Sequence, residues 1–288
     1  MNQPNLKGGE KGAWISIFAY LFLSGAKLIV AYIGDSDALW ADGLNNSTDV
    51  VASIAILIGL RISQKPPDQN HRYGHYRAET IASLLAAFIM VAVGLQVIFS
   101  TIGKMFETQI AKPDMLTAWT ALGAALVMFF VYRYNLSLSR KVNSSALYAA
   151  SQDNRSDALV SIGAFIGIIG AQFGLYWLDP LAGLIVGIII CKTAWDIFKD
   201  STLSLTDGFD EERLQTIKQE IKKFPEVKIV PDIKGRALGN QSVLDVTIKV
   251  DPNLTVRQSH DITVRIEKKL ANEYGILYTH IHIEPYIE

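Results

Sequence analysis

Three stretches of this chain carry no charged residue: Ile81–Gly103, Met115–Tyr132 and Ala158–Leu178. About 20 apolar residues let a helix cross the hydrocarbon core of a bilayer with every backbone group bonded internally. Three further stretches are nearly as apolar. Gly12–Ile33 is interrupted by Lys27, Leu39–Leu60 by Asp42 and Asp49, and Pro180–Phe198 by Lys192 and Asp196. The pattern predicts six transmembrane helices, some of them polar inside. Lys192 and Asp196 fall toward an end, within reach of the interface, and Lys27 reads as a snorkelling or paired lysine. Lys7 and Lys11 precede the first span as they would a secretory signal. Its apolar run is too long for one and no Ala-x-Ala site closes it, so it is expected to be retained.

Charge divides the chain in two. Residues 1–200 hold 29 charged side chains and residues 201–288 hold 26. The last third thus has the density of an ordinary soluble domain. A single soluble globule is excluded, as is a disordered chain. The lone Cys191 forms no intramolecular bridge, and a net charge of −1 gives no case for nucleic acid. An even number of spans puts both termini on one side. That side carries Lys7, Lys11, Arg61, Lys65, Arg72, Arg77, Arg133, Arg140, Lys141 and Lys199, against Lys104 and Lys112 opposite. The bias places both termini in the cytoplasm of a cell (plasma or inner) membrane protein.

In the last third, acidic residues after Asp207 open a helix that runs to about Lys223, ahead of Pro225. A weaker strand near Val227–Lys234 follows, then an alternating one over Val243–Val250. A second helix over Thr255–Tyr274 is closed by Gly275, and Leu277–Glu284 alternates again. The order αββαβ predicts a small α+β sandwich, one face of whose sheet meets a partner copy.

Polar residues interrupt the spans in a pattern. Asn45 and Asp49 stand four apart on the second, and Asp153 and Asp157 four apart at the start of the fifth, so each pair shares a helix face. Carboxylates at such depth cost roughly 2.5–3.5 kcal/mol each. Together the four offer an oxygen cage for a divalent ion, of a hardness suited to Mn²⁺, Mg²⁺ or Ca²⁺ over Zn²⁺ or Cu⁺. Taken singly, each is also compatible with helix–helix packing. Asp42 lies three before Asn45 and is read as lining the access path without ligating. Arg155 points away from the carboxylate face.

In the loop after the second span, Asp68, His71 and His75 are spaced three and four apart, close enough for one ion, though loop histidines are commonly only solvated. In the last strand His280, His282 and Glu284 share a face, where His260 and Asp232 could join them. A polar, solvent-facing sheet is the alternative.

These residues resemble the cation diffusion facilitators. The likeness rests on Ala41-Asp-Gly-Leu-Asn-Asn-Ser-Thr-Asp49, His71-Arg-Tyr-Gly-His-Tyr-Arg-Ala-Glu79, Asp153-Asn-Arg-Ser-Asp157 and Asp179-Pro-Leu-Ala-Gly-Leu-Ile, and spans essentially the whole chain. It implies a homodimeric antiporter that exports divalent metal in exchange for protons, with a six-helix transport domain (1–206) and a ferredoxin-like cytoplasmic domain (207–288) for metal binding and dimerisation. It implies a transport site at Asn45, Asp49, Asp153 and Asp157, and a second site at Asp68, His71 and His75. Asp232, His260, His282 and Glu284 match tail positions that bind metal in some members. Arg77 and Asp207 match a charge pair that holds the subunits together. His280 is an extra candidate without a family match, and Thr247 stands where some members carry a histidine ligand. Zinc-transporting members usually have His or Asp at position 45 and His at 153, so the chain looks like the manganese branch.

The expected function is therefore Mn²⁺ export by alternating access, with protons displacing the ion from the three carboxylates and the tail tightening on cytoplasmic metal. Divalent metal is substrate and regulator, with no catalytic cofactor. The rivals are a Zn²⁺, Fe²⁺ or Co²⁺ exporter of the same kind and a membrane-anchored metal sensor. An intramembrane diaspartyl hydrolase lacks its substrate-cleaving motif, so no enzymatic activity is expected.

Overall fold

The computed structural model describes residues 7–34, 37–104, 115–175, 177–276 and 278–287. The chain divides into two compact units, Met1–Ser201 and Thr202–Glu288.

The first unit is built from six long helices: α1 (Lys7–Gly34), α2 (Asp37–Ser63), α3 (Arg77–Lys104), α4 (Met115–Val142), α5 (Ser145–Gln172) and α6 (Leu178–Leu205), the last of which runs four residues past Ser201. Among the described residues, α1, α3, α4 and α6 are apolar and long enough to cross a membrane on composition alone. The other two, α2 and α5, match them in length and carry the polar pairs. The burial pattern inverts that of a water-soluble bundle. Phe18, Phe22, Ile54, Phe88, Phe99, Trp119, Phe130 and Trp195 face outward, whereas Ser16, Ser24, Asn135 and Asn154 are buried. Large apolar side chains on the outside of a helical bundle belong in lipid, not water. Small residues let the helices approach. A Cβ on Gly59 would meet the Ala82 Cβ at 2.4 Å, and one on Gly94 would meet the Cys191 Sγ at 2.6 Å.

Two helix boundaries differ from the hydropathy reading. Helix α4 runs ten residues past Tyr132, because 133–142 is polar but helix-forming and still buries Leu136 and Val142. It ends at Asn143 (φ 50°), where the Ser144 N–H reaches the Ser139 carbonyl at 3.0 Å. The Ser144 hydroxyl then accepts from the Leu147 N–H and starts α5 at Ser145. Asp153 and Asp157 therefore sit two and three turns inside α5, well within the bundle. The same helix stops at Gln172, short of Leu178, at a turn through Gly174 (φ 78°).

The second unit follows the predicted order: α7 (Glu211–Lys222), β1 (Ile229–Leu238), β2 (Gln241–Val250), α8 (Val256–Tyr274) and β3 (Tyr278–Pro285). Asp210 caps α7, accepting from the Arg213 N–H, and Thr255 with Gln258 forms a capping box on α8. Gly275 (φ 65°) closes α8 in the left-handed conformation. Strand β1 pairs antiparallel with β2, and β2 pairs parallel with β3 across the α8 crossover. Both helices pack on one sheet face, Ile217 and Ile221 of α7 and Ile266 and Leu270 of α8 against Leu244, Val246 and Ile248. The opposite face carries the polar residues. Strand β1 runs four residues beyond the expected Lys234, because a tight turn at Gly239 (φ 58°) lets both strands extend into a hairpin.

Candidate metal centre

Asp49, on α2, is 5% exposed, and its Oδ2 accepts from the Asn46 Nδ2 at 3.2 Å. Asp153 and Asp157, on α5, are partly buried and lie near enough to Asp49 for all three charges to repel one another. Three carboxylates from two helices thus converge inside the bundle. Asn45 lies on α2 one turn before Asp49; its side chain and that of Asp42 fall outside the described residues. Arg155 is exposed and bonds the Gln152 Oε1 at 3.4 Å, directed away from the carboxylates.

The sequence reading missed the groups around these carboxylates. The Tyr20 hydroxyl of α1 bonds both Asp157 and, at 3.2 Å, Asp153. Asn154 donates to that hydroxyl at 3.1 Å and is held in turn by Asn135 and Ser16. Lys27, on the same side of α1, is 2% exposed and acts on Asp157 electrostatically, so it is a buried lysine within the bundle, not a snorkelling one. A signal was present: Ser16, Tyr20, Ser24 and Lys27 recur every three to four residues, a polar stripe along one face of an apolar helix.

In the loop between α2 and α3, Asp68, His71 and His75 gather. Their donor atoms lie within 4.8 Å of one another, the one such group of three among the described residues. The Asp68 Oδ1 accepts from the N–H groups of His71 (2.7 Å) and Asn70 (2.9 Å). The His71 N–H is the main cause that holds the Asp68 carboxyl below its usual range. The His71 Nδ1 stands 3.2 Å from Oδ1 and the His75 Nε2 3.4 Å from Oδ2. Bonds of about 2.1 Å to a tetrahedral ion place neighbouring ligands about 3.4 Å apart, so these separations fit a shared cation.

The C-terminal residues are arranged differently. Register places Asp232, Thr247 and His282 abreast across the three strands, with Asp245 beside His280 and Lys249 beside Glu284. Asp232 pairs with Lys234 at 2.9 Å, which holds its carboxyl below the usual range. His282 lies 3.9 Å from Glu284, and His280 3.8 Å from Asp245. His260 is exposed on α8, whose apolar side covers the other sheet face. The expected gathering of Asp232, His260, His282 and Glu284 therefore does not form within one chain: strand alternation directs the strand residues to one face and α8 occupies the other. Arg77 begins α3 in the first unit, and Asp207 lies in the second with φ 61°.

Residues 13–206 match the family profile described as the cation efflux transmembrane domain, and residues 209–286 that of the cation efflux protein cytoplasmic domain. The chain is 56% identical over 280 residues to the manganese efflux system protein MneS of Bacillus subtilis (strain 168), covering 97% of each. It is 33% identical over 292 residues to the manganese efflux system protein MneP of the same strain, again covering 97% of each. Magnetosome protein MamB of Paramagnetospirillum magneticum (strain ATCC 700264 / AMB-1) is 27% identical over 265 residues, 92% of this chain and 90% of that one. The chain belongs to the cation efflux family, the cation diffusion facilitators, and is an integral membrane transporter of metal cations, not an enzyme.

Proposed function

We propose that this protein exports Mn²⁺ from the cytoplasm in exchange for protons. The observation that carries the reading is the convergence of Asp49, Asp153 and Asp157 inside the bundle, beside the helical position of Asn45. An all-oxygen set suits a hard divalent ion. The similarity to two proteins named for manganese efflux supports the same choice. Protons and the cation compete for the same three carboxylates, since an amide does not titrate. Exchange follows if the six-helix bundle alternates between inward- and outward-facing arrangements, Mn²⁺ entering from one side and protons from the other.

In this reading residues 1–206 form the transport domain and residues 207–288 the cytoplasmic domain, with both termini in the cytoplasm. Asp68, His71 and His75 bind a second cation at the cytoplasmic mouth. The polar sheet face, with Asp232, His282, Glu284 and His280, takes regulatory metal in a homodimer, where a second copy brings further ligands, the His260 of its α8 among them. Asp42 lines the entry path.

Asp49→Ala or Asp157→Ala in loaded proteoliposomes is expected to abolish Mn²⁺ efflux; unimpaired efflux in either removes the site. One observation favours a second reading, export of Zn²⁺, Fe²⁺ or Co²⁺: the loop pairs two imidazoles with a carboxylate, a set suited to those ions. Competition among the four metals in one assay separates the two readings.

A further inference from the structure

We infer that Tyr20 is a positioning residue that fixes the Asp153–Asp157 carboxylate pair and thereby sets which sizes of cation the site accepts. The inference rests on the reading that these carboxylates hold the transported ion. The Tyr20 side chain is fully buried, packed with Leu23 of its own helix, Ala124 and Met128 of α4 and Ala158 of α5. Three helices thus fix where its ring lies. Its hydroxyl carries one proton and meets the Oδ2 atoms of both Asp153 and Asp157, so it gathers the two carboxylates onto a common oxygen.

The hydroxyl is itself held from behind. Its lone pair accepts from the Asn154 Nδ2 at 3.1 Å. The Asn154 Oδ1 accepts from the Asn135 Nδ2 at 3.0 Å and from the Ser16 Oγ at 3.1 Å, and Asn135 also donates to Ser16 at 2.8 Å. Ser16 and Tyr20 come from α1, Asn135 from α4 and Asn154 from α5. Each is buried, so no water competes for these bonds and the phenol has a fixed direction. A network of this kind transmits the packing of three helices to two carboxylate oxygens.

The consequence is steric and coordinative. An oxygen that accepts from Tyr20 has fewer lone pairs for an ion, so each carboxylate is steered toward monodentate binding. Ca²⁺ prefers 6–8 oxygens at about 2.3–2.6 Å, often with bidentate carboxylates in a flexible cage. A rigid, monodentate pair disfavours it and leaves smaller divalent ions preferred.

The test is Tyr20→Phe in the full-length protein reconstituted in proteoliposomes, with Asp157→Ala alongside. Removing the hydroxyl is expected to raise the KM for Mn²⁺ about tenfold with Vmax largely kept, and to let Ca²⁺ inhibit Mn²⁺ transport at about tenfold lower concentration. Asn154→Ala, which frees the phenol without touching the carboxylates, is expected to shift both quantities the same way by less. It decides the matter if Tyr20→Phe fails to assemble. Unchanged KM and Ca²⁺ inhibition overturn the inference, and so does a fall in Vmax and thermal stability with selectivity intact, the mark of a packing role. If Asp157→Ala is inactive while Tyr20→Phe behaves as wild type, only this inference fails. If Asp157→Ala transports normally, the site itself is misassigned and the inference falls with it.

Discussion

A carboxylate among membrane helices must find a cation, a proton or a hydrogen-bond donor, and the three here find donors on neighbouring side chains. Asn46 serves Asp49, and Tyr20 serves Asp153 and Asp157. What distinguishes the site chemically is the absence of imidazole among its proposed ligands, and that is open to a direct test. Asp153→His introduces a nitrogen ligand suited to Zn²⁺, and Asn45→Asp adds a fourth carboxylate. Both are expected to raise the Zn²⁺/Mn²⁺ transport ratio, Asp153→His by about tenfold, the equivalent of ~1.4 kcal/mol. A ratio unchanged in both variants would remove the ligand-type account. The carboxylate pairs were legible in the sequence, because two residues four apart must share a helix face. Tyr20 was not. A phenol in an apolar helix reads as core until its hydroxyl is seen to end on a carboxylate, and the partners of that hydroxyl lie more than a hundred residues away.

Helix α7 is polar along most of its length, and its attachment to the C-terminal unit combines three buried apolar residues with an ionic bracket. Glu220 bonds Lys223, the C-cap of its own helix, and, at 3.0 Å, Lys269 of α8. The Lys223 bond and then the Lys269 bond hold the Glu220 carboxyl below its ordinary range, while Glu220 raises Lys269. A depressed acid contributes stability above its unfolded pKa that is lost as pH falls through the folded value. A raised amine contributes stability below its unfolded pKa that is lost as pH rises through the folded one. The bracket therefore works fully between the reference values of about 4.3 and 10.4. Glu220→Gln in a fragment spanning 202–288 is expected to melt below wild type at pH 7, with the gap narrowing as pH falls below about 4. An equal gap at pH 7 and pH 3 excludes the bracket. Element order in this unit was readable because alternation over Val243–Val250 and the stop at Gly275 are both local. The bracket was not readable, since 49 residues separate Glu220 from Lys269. Nor was the placement of His260: its helix covers the apolar sheet face, and only pairing of the three strands determines which face that is.

Each of the two units has its own hydrophobic core, so each can be asked separately what it contributes. The proposed transport site lies wholly within the first, on α2 and α5 with Tyr20 from α1. A membrane-anchored sensor would reverse the dependence, with the C-terminal unit receiving the metal and the spans only holding it in place. Ending the chain after Thr206 distinguishes the two. If the bundle is the transporter, the truncated protein still moves Mn²⁺ in proteoliposomes, at a rate reduced by the loss of the proposed dimerisation surface and regulatory metal site. Asp157→Ala in the full-length chain moves none. The sensor reading requires the opposite, with every metal response lost on truncation and Asp157 dispensable. The buried polar network argues for the first outcome. An anchor helix needs only apolar length, whereas this bundle buries Lys27, Asn46, Asp49, Asn135 and Asn154 at a solvation cost that an anchor has no reason to bear. Truncation that abolishes Mn²⁺ efflux, in a protein that still assembles and elutes as a folded species, would shift the seat of function to the C-terminal unit. Retained efflux that vanishes when Asp157→Ala is added to the truncated chain would place it in the bundle.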